Sequence, residues 1–375
     1  MSVAELVTRD GHLMTTVLQL LHSDEKGGVE MLAQLIGENL RAAGAGVETL
    51  FLYRGFSAGT GAKLLGMVCA VERIARTRPD MILAYQTTAS VIAGVAGRAA
   101  GCQLRIVHQT AKPSTAHPIS RWLDKLAGSH GFYTVNVANS HATLAEFDRY
   151  PAAYRANMRL IEHGVAPPEP RCGRAETLAR YNIPSAGPIL LNAGRLSQQK
   201  AQNLIIRALP HLPEAQLLLA GGGKLEQAYR DLARSLGVEQ RVHYFGYLAR
   251  QEVGDLMGAA DVFVFPSEWE TFGLAVVEAA MLGVPVVCAD LPVLREVLSV
   301  EGTTAARFVD CADPGQLASA IQSELGHLEP AKARDLAAGL RRKYSQETMF
   351  AAYRALLWPE QRSIGGGMGN KAGPL

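Results

Sequence analysis

Short apolar runs rich in Val, Ile, Leu and aromatic residues alternate along this chain with longer stretches whose apolar residues recur every three or four positions. The first kind fits strands buried in a sheet, and the second fits helices with one face packed against it. In the first half the pattern predicts strands at Thr16–Leu21, Val47–Tyr53, Met81–Tyr85, Leu104–His108, Tyr133–Ala138 and Arg159–His163. Helices are predicted between them over Val29–Ala42, Lys63–Arg76, Ser90–Ala100 and His141–Asp148. Alternation of this kind implies a parallel sheet covered by helices.

The alternation breaks at Val165–Arg171, where three prolines in Val-Ala-Pro-Pro-Glu-Pro-Arg stop both helix and strand. It then restarts. Strands are predicted at Ile189–Ala193, Gln216–Ala220, Val242–Phe245, Val262–Phe265, Pro285–Cys288 and Arg307–Val309. Helices are predicted over Gln202–Leu209, Leu225–Leu236, Gln251–Met257, Gly273–Leu282, Pro314–Glu324 and Pro330–Lys343. The expected fold is α/β, with two Rossmann-like doubly wound domains over residues 1–165 and 166–345. A final helix within 346–360 is expected to return to the first domain. The glycine-rich stretch 361–375 is expected to be a flexible tail. Two such domains face each other across a cleft, and open parallel sheets bind ligands at the carboxyl ends of their strands. The chemistry is therefore sought in the loops that follow strands.

Composition narrows the class. The 375 residues are 48% hydrophobic, enough for two cores, and the formal net charge of +2 argues against a dedicated nucleic-acid binder. Cys69, Cys102, Cys172, Cys288 and Cys311 are scattered with no CxxC pair, which predicts free thiols rather than a disulfide framework or a zinc site. Glu5, Arg9 and Asp10 precede any apolar run, so the N-terminus does not read as a secretory signal. No apolar run reaches the roughly 18 residues of a membrane-spanning helix. The expectation is a cytoplasmic protein, with peripheral contact at the inner face of a membrane left open.

The densest chemistry lies in Phe265-Pro-Ser-Glu-Trp-Glu-Thr-Phe-Gly-Leu-Ala-Val-Val-Glu-Ala-Ala-Met-Leu-Gly-Val-Pro-Val-Val287. A strand ends at Phe265, a loop follows, and a helix is expected to open near Phe272. The N–H groups of Phe272, Gly273 and Leu274 would then present an anion site at a helix start. Glu270 lies in the loop and Glu278 further along the helix, inside an apolar run where a carboxylate needs a partner. Carboxylates accept from hydroxyls, so the pair suits a ligand with hydroxyls on both sides of a diphosphate. A second cluster, Asn192-Ala-Gly-Arg-Leu-Ser-Gln-Gln-Lys200, follows another strand, and its Arg195 and Lys200 suit a diphosphate.

The frame Glu-x-Phe-Gly-Leu…Glu-Ala…Gly-x-Pro-Val-Val around Glu270 and Glu278 resembles the signature of retaining glycosyltransferase family 4, which has the GT-B fold. The resemblance covers most of the chain and is densest from Asn192 to Val297. It implies that Glu270 contacts donor-sugar hydroxyls, Glu278 the ribose, and the amides of Phe272, Gly273 and Leu274 the diphosphate. It also implies phosphate-binding roles for Arg195 and Lys200. Ala201 stands where glycine is usual, and a small backbone adjustment is expected there. Gly27 and Gly28, in Lys26-Gly27-Gly28-Val29, match the family's first-domain loop at the donor diphosphate. His108 matches a histidine beside the donor sugar. Gly221–Gly223 and Tyr244-Phe245-Gly246 match loops near the nucleotide, Phe245 being open to a plain core role. Asn139-Ser140-His141 matches a turn that lines the acceptor side or caps a helix.

The resemblance implies transfer of a sugar from a nucleoside diphosphate, uridine first and guanosine second, to an acceptor hydroxyl of a sugar or glycolipid. Cell-surface polysaccharide or lipopolysaccharide synthesis is one setting that the resemblance suggests. Nothing resembles an Asp-x-Asp metal site, so no cofactor or metal is expected to be required. A non-catalytic nucleotide-sugar-binding module, a sugar-phosphate synthase and a nucleotide-sugar epimerase stay as alternatives. The absence of a GxGxxG turn counts against a dinucleotide enzyme. First-domain loops at Arg54–Gly61 and Gln109–Ser120 are expected to choose the acceptor. Oligomeric state is not legible.

Overall fold

A computed structural model describes residues 16–24, 27–53, 59–326 and 330–357. Lys26, part of the Arg54–Gly61 loop and the 361–375 tail lie outside the described residues.

The first domain is built on strands β1 (Thr16–Ser23), β2 (Gly46–Tyr53), β3 (Met81–Tyr85), β4 (Leu104–Gln109), β5 (Val135–Ala138) and β6 (Met158–Leu160). They form one parallel sheet in the order β2-β1-β3-β4-β5-β6. Every residue of β3 is buried, as expected where helices cover both faces. Helices α2 (Thr60–Thr77), α3 (Thr87–Ala99) and α4 (Pro118–Ser129) pack on one face. Helix α1 (Gly28–Ala42) packs on the other. Two short helices, α5 (His141–Ala145) and α6 (Ala152–Ala156), flank β5 and β6.

Several boundaries differ from expectation: α2 and α3 each begin three residues early, at Thr60 and Thr87. β5 begins at Val135, α5 stops at Ala145, and β6 ends at Leu160 because the chain then leaves the sheet and carries His163 to the domain junction. Helix α4 escapes the sequence pattern because its polarity is inverted. Asp124 faces inward and accepts hydrogen bonds from the hydroxyls of Tyr133 (2.9 Å) and Tyr154 (2.7 Å). Ile119 and Trp122 face solvent.

The second domain opens with α7 (Arg174–Arg180) and continues through β7 (Ile189–Ala193), α8 (Gln202–Ala208), β8 (Gln216–Ala220), α9 (Glu226–Ser235), β9 (Val242–Tyr244), α10 (Arg250–Ala259) and β10 (Val262–Phe265). It proceeds through α11 (Leu274–Met281), β11 (Val286–Ala289), α12 (Pro292–Val297), the small hairpin β12 (Ser299–Val300) and β13 (Thr303–Thr304), and β14 (Arg307–Val309). Helices α13 (Pro314–Gly326), α14 (Pro330–Lys343) and α15 (Gln346–Leu357) close the chain. The sheet is again parallel, in the order β14-β11-β10-β7-β8-β9. Helices α7 and α12 carry too few apolar positions for their period to register.

The chain passes between the domains twice, through the proline segment after β6 and between α14 and α15. The two passages touch: the Val165 amide donates to Tyr344 O (2.8 Å). Helix α15 lies on the first domain, where Met349 and Tyr353 join the cluster formed by β1, β3 and α1. Further contacts bind the domains. The Thr271 carbonyl accepts from the hydroxyls of Ser140 (2.9 Å) and Thr143 (3.1 Å). The Glu296 carboxylate of α12 accepts from the amides of His141 (2.7 Å) and Ala142 (2.8 Å), the uncovered donors at the start of α5.

Candidate active site at the domain interface

In an open parallel sheet, a crevice forms where the strand order reverses. In the second sheet β7 stands first in sequence, with β8 on one side and β10 on the other, so the crevice lies beyond the ends of β7 and β10. The loops there are 194–201 and 266–273, which hold Arg195, Lys200, Glu270 and Gly273.

These two loops are tied to each other. The Glu268 amide donates to Gln199 O (2.8 Å), and the Gln199 side-chain amide donates to Trp269 O (3.1 Å). Beneath them, Asn192 Nδ2 donates to Val264 O (2.7 Å), and Gln202 Nε2 donates to Asn192 Oδ1 (3.2 Å) and Arg195 O (3.0 Å). Within this frame Lys200 Nζ meets Glu270 Oε1 at 2.5 Å and lies 4.9 Å from the centre of the Phe265 ring. Glu270 is buried, so the lysine supplies the charge partner that its carboxylate needs.

Helix α11 begins at Leu274, later than the expected start near Phe272, and its N-cap is Gly273. Gly273 has φ 89°, a conformation that disfavours a side chain, and a Cβ there would also press on Leu294 and Val276. No side chain caps this helix start. The Phe272 ring is turned into the core, edge-on to His163 (4.9 Å) and Tyr344 (5.1 Å).

The Gly27–Gly28 turn comes to the same place from the first domain. A Cβ on Gly27 would fall 3.1 Å from Arg195 Nη2, and one on Gly28 would fall 3.2 Å from Leu274 Cδ1. Helix α1 also starts on a glycine N-cap with no side-chain cap. Two uncapped helix starts and the side chains of Arg195 and Lys200 therefore converge across the domain boundary, an arrangement suited to negative charge.

Glu278 lies one turn into α11, where Arg250 Nη2 holds its Oε1 at 2.7 Å. Burial raises its pKa, and Arg250 opposes that rise. Arg250 also donates to Ala166 O (2.5 Å) in the linker and to Met31 Sδ (3.1 Å) in α1. This arginine was not singled out from sequence. It opens α10 on a helix of ordinary polarity, and only the fold gives it Glu278 as a partner.

One expected side-chain role is corrected. His108 does not face an open cleft. It is 3% exposed; its Nδ1–H donates to Ala84 O (3.0 Å), and its Nε2 accepts from the Tyr353 hydroxyl (2.8 Å). The ring stacks on Tyr85 at 4.4 Å, and burial lowers its pKa to about 4. It anchors α15 rather than shaping a sugar pocket. Phe245, left open to a core role, is half-buried against the second-domain core: its ring packs edge-on against Tyr181 (5.0 Å), and its amide donates to Leu219 O (3.1 Å). Ala201, which stands where glycine is usual in the family that the sequence resembles, itself adopts the left-handed conformation. Gly221 is fixed by packing, since a Cβ there would fall 2.1 Å from Gly194 O. Ser140 caps α5 by accepting from the Thr143 amide (3.0 Å).

Sequence reasoning missed Tyr247 and the pair His22 and Gln86, and it named Asn139 only as part of a turn on the acceptor side or at a helix cap. Tyr247, half exposed, lies over Gly222: a Cβ there would fall 2.8 Å from its ring. Asn139 Nδ2 donates to His163 Nε2 (3.0 Å) and Thr271 Oγ1 (3.2 Å), joining the domains beside the Glu270 loop. At the reversal point of the first sheet, beyond β1 and β3, the His22 amide donates to Gln86 Oε1 (3.1 Å). Gln86 holds φ 73° at the start of α3, and the pKa of His22 is lowered to about 4 by burial and then by Lys63. The position of His22 at a strand end was the signal available for it.

Comparison with known proteins agrees with this geometry. Residues 173–335 match the family model "Glycosyl transferases group 1". The D-inositol 3-phosphate glycosyltransferase of Xylanimonas cellulosilytica is 34% identical over 238 residues, which is 60% of this chain and 54% of that protein. The glycogen synthase of Mycobacterium tuberculosis is 35% identical over 171 residues, 44% of this chain and 40% of that protein. The chain thus spans about half the length of these relatives, or less. Among solved structures, Anabaena Alr3699/HepE in complex with UDP and glucose superposes with a TM-score of 0.73 at 21% identity, covering 91% of this chain and 99% of that one. The sucrose-phosphate synthase of Thermosynechococcus elongatus gives the same TM-score and identity over 92% and 99%. These likenesses establish the two-domain GT-B fold. The second domain belongs to the glycosyl transferases group 1 family, carried on a chain with the GT-B fold of family-4-type glycosyltransferases.

Proposed function

We propose that the protein transfers a sugar, with retention of anomeric configuration, from a nucleoside diphosphate to an acceptor hydroxyl. The observation that carries this reading is the convergence of Arg195, Lys200, Glu270 and the α11 start with Gly27 and Gly28 across the domain boundary. The diphosphate would lie against the two cations and the helix start, the sugar against Glu270 and the ribose against Glu278. UDP is the first donor to test, since HepE was solved with UDP and glucose and with UDP-glucose.

In the proposed step the acceptor oxygen bonds to the anomeric carbon on the face that the diphosphate leaves. The bond from that carbon to the phosphate oxygen breaks, and its electron pair stays on the phosphate. The acceptor proton passes to that oxygen. Arg195, Lys200 and the α11 amides meet the growing negative charge, so positioning and electrostatics supply most of the acceleration. His22 and Gln86, which meet beyond β1 and β3, would face the acceptor. The acceptor is a sugar or a glycolipid, and no residue cluster in this reading calls for a metal.

The test is a thermal-shift panel of UDP, GDP, ADP, NAD and common nucleotide sugars, with and without magnesium, followed by assay of Lys200→Met and Glu270→Gln. One nucleoside diphosphate and its sugar should stabilise the protein without metal, and each substitution should lower kcat at least about 100-fold. Donor binding with no transfer to any acceptor would favour a binding module. No shift in folded protein would overturn the donor site.

A further inference from the structure

Large hydrophobic side chains exposed among the described residues are concentrated on one face. Of twelve, nine lie on α2, α3 and α4 of the first domain. Helix α2 presents Leu64, Leu65, Val68 and Val71, the first two more than 60% exposed. Helix α3, which lies between its neighbours and touches both, adds Val95. Helix α4 presents Ile119 (62%), Trp122 (60%), Leu123 and Leu126.

The spacing on α4 is i, i+3, i+4, i+7, an apolar stripe of the kind that normally faces a core. Here it faces out, and the helix cannot roll to bury it. Its inner side is Asp124, Ala127 and Gly128, and Asp124 is held by the hydroxyls of Tyr133 and Tyr154. Rotation would strand that carboxylate. On α2 the inner contacts are Ala70 and Ile74, while Leu64, Val68 and Val71 run outward at i, i+4 and i+7.

Charge is segregated on the same helices. They carry Lys63, Arg73, Arg76, Arg98, Arg121 and Lys125 against Glu72 and the inward Asp124, while the whole chain has a formal net charge of only +2. Arg73 pairs with Glu48 and Arg76 with Glu72. Lys63, Arg98, Arg121 and Lys125 have no ion-pair partner among the described residues.

We propose that the α2–α3–α4 face docks on the surface of an anionic lipid bilayer, with α4 lying in the interface and Trp122 inserted below the headgroups. An apolar stripe bordered by cations matches that surface, where anionic headgroups meet acyl chains. A second copy of the chain fits less well, because a two-fold contact would set these cations against their own copies. The loop 110–117 runs from the end of β4 into α4. If the proposed transferase reading holds, docking brings the acceptor side of the cleft to the membrane. The docking itself does not depend on that reading.

The test is co-sedimentation of the full chain with phosphatidylcholine vesicles and with vesicles that also contain phosphatidylglycerol. Binding should require the anionic lipid, weaken in high salt, and fall at least about ten-fold in the variant Leu64→Ser/Ile119→Ser/Trp122→Ser. Circular dichroism and urea unfolding show whether that variant folds like the parent. Brominated lipid should quench tryptophan fluorescence in the parent and much less in Trp122→Phe. No sedimentation of folded protein with anionic vesicles would overturn the proposal, as would binding undiminished in the triple variant. Concentration-dependent dimerisation abolished by the same substitutions would assign the face to a second copy and overturn it as well.

Discussion

Ala201 holds φ 50° and ψ 39° at the start of α8, one residue past Lys200. That conformation costs an alanine about 1 kcal/mol or more, and glycine adopts it freely at some entropic cost in the unfolded chain. Ala201→Gly is therefore expected to stabilise the protein by up to about 1 kcal/mol, read from the urea midpoint. A lowered midpoint would mean that the buried methyl contributes more than the strain removes. Tyr247 offers a second residue-scale test. Its half-exposed ring lies over the Gly222 loop, and under the proposed donor reading it would stack on the base, so Tyr247→Ala should weaken UDP binding about ten-fold by calorimetry while Tyr247→Phe preserves it. At this scale the sequence disclosed what lies directly after a strand: the loops of Arg195, Lys200 and Glu270 follow β7 and β10 as their positions implied. It did not disclose Arg250, whose importance rests on a carboxylate 28 positions away in the chain. His108 misled because a histidine at a strand end reads the same whether it meets a cleft or a returning helix.

At the scale of elements, α15 adds one buried hydrogen bond to its apolar packing through Met349 and Tyr353. The Tyr353 hydroxyl donates to His108, whose other nitrogen is already committed to Ala84 O. Tyr353→Phe leaves Nε2 buried without a donor and should cost about 1–3 kcal/mol, with faster hydrogen exchange in α15 than elsewhere. Acid should act on the same parts. Burial lowers His108 to about 4 and His163 to about 3, both below the ordinary value near 6.5. As pH falls below 6.5 the unfolded chain takes up these protons first, so stability is whole at neutral pH and declines toward pH 4 and below. Urea midpoints should accordingly be lower at pH 5 than at pH 7.5, and less so in a folded His108→Gln variant. Strands such as β3, β7 and β10 were legible because continuous apolar runs betray burial on both faces. Helix α4 was not, because its stripe points away from the core that the pattern assumes.

At the scale of the molecule, two chain passages and a handful of polar contacts set how the domains meet. Glu296 spans the junction by holding the start of α5. Glu296→Ala should loosen that grip, seen as a larger radius of gyration by solution scattering and weaker donor binding, with little change in the unfolding of either domain. Equal scattering curves would place the restraint elsewhere. The Thr271 carbonyl carries a wider consequence. It is gripped by Ser140 and Thr143 of the first domain, and it belongs to the residue next to Glu270. Separation of the domains must release that carbonyl, so the shape of the loop that carries Glu270 is coupled to how the two domains meet. Such a protein works like a mould whose last wall is fitted by closing the lid. In the proposed reaction, a donor entering before the domains meet would find an unfinished site, and water, present mainly then, would have the least help in breaking the glycosyl bond.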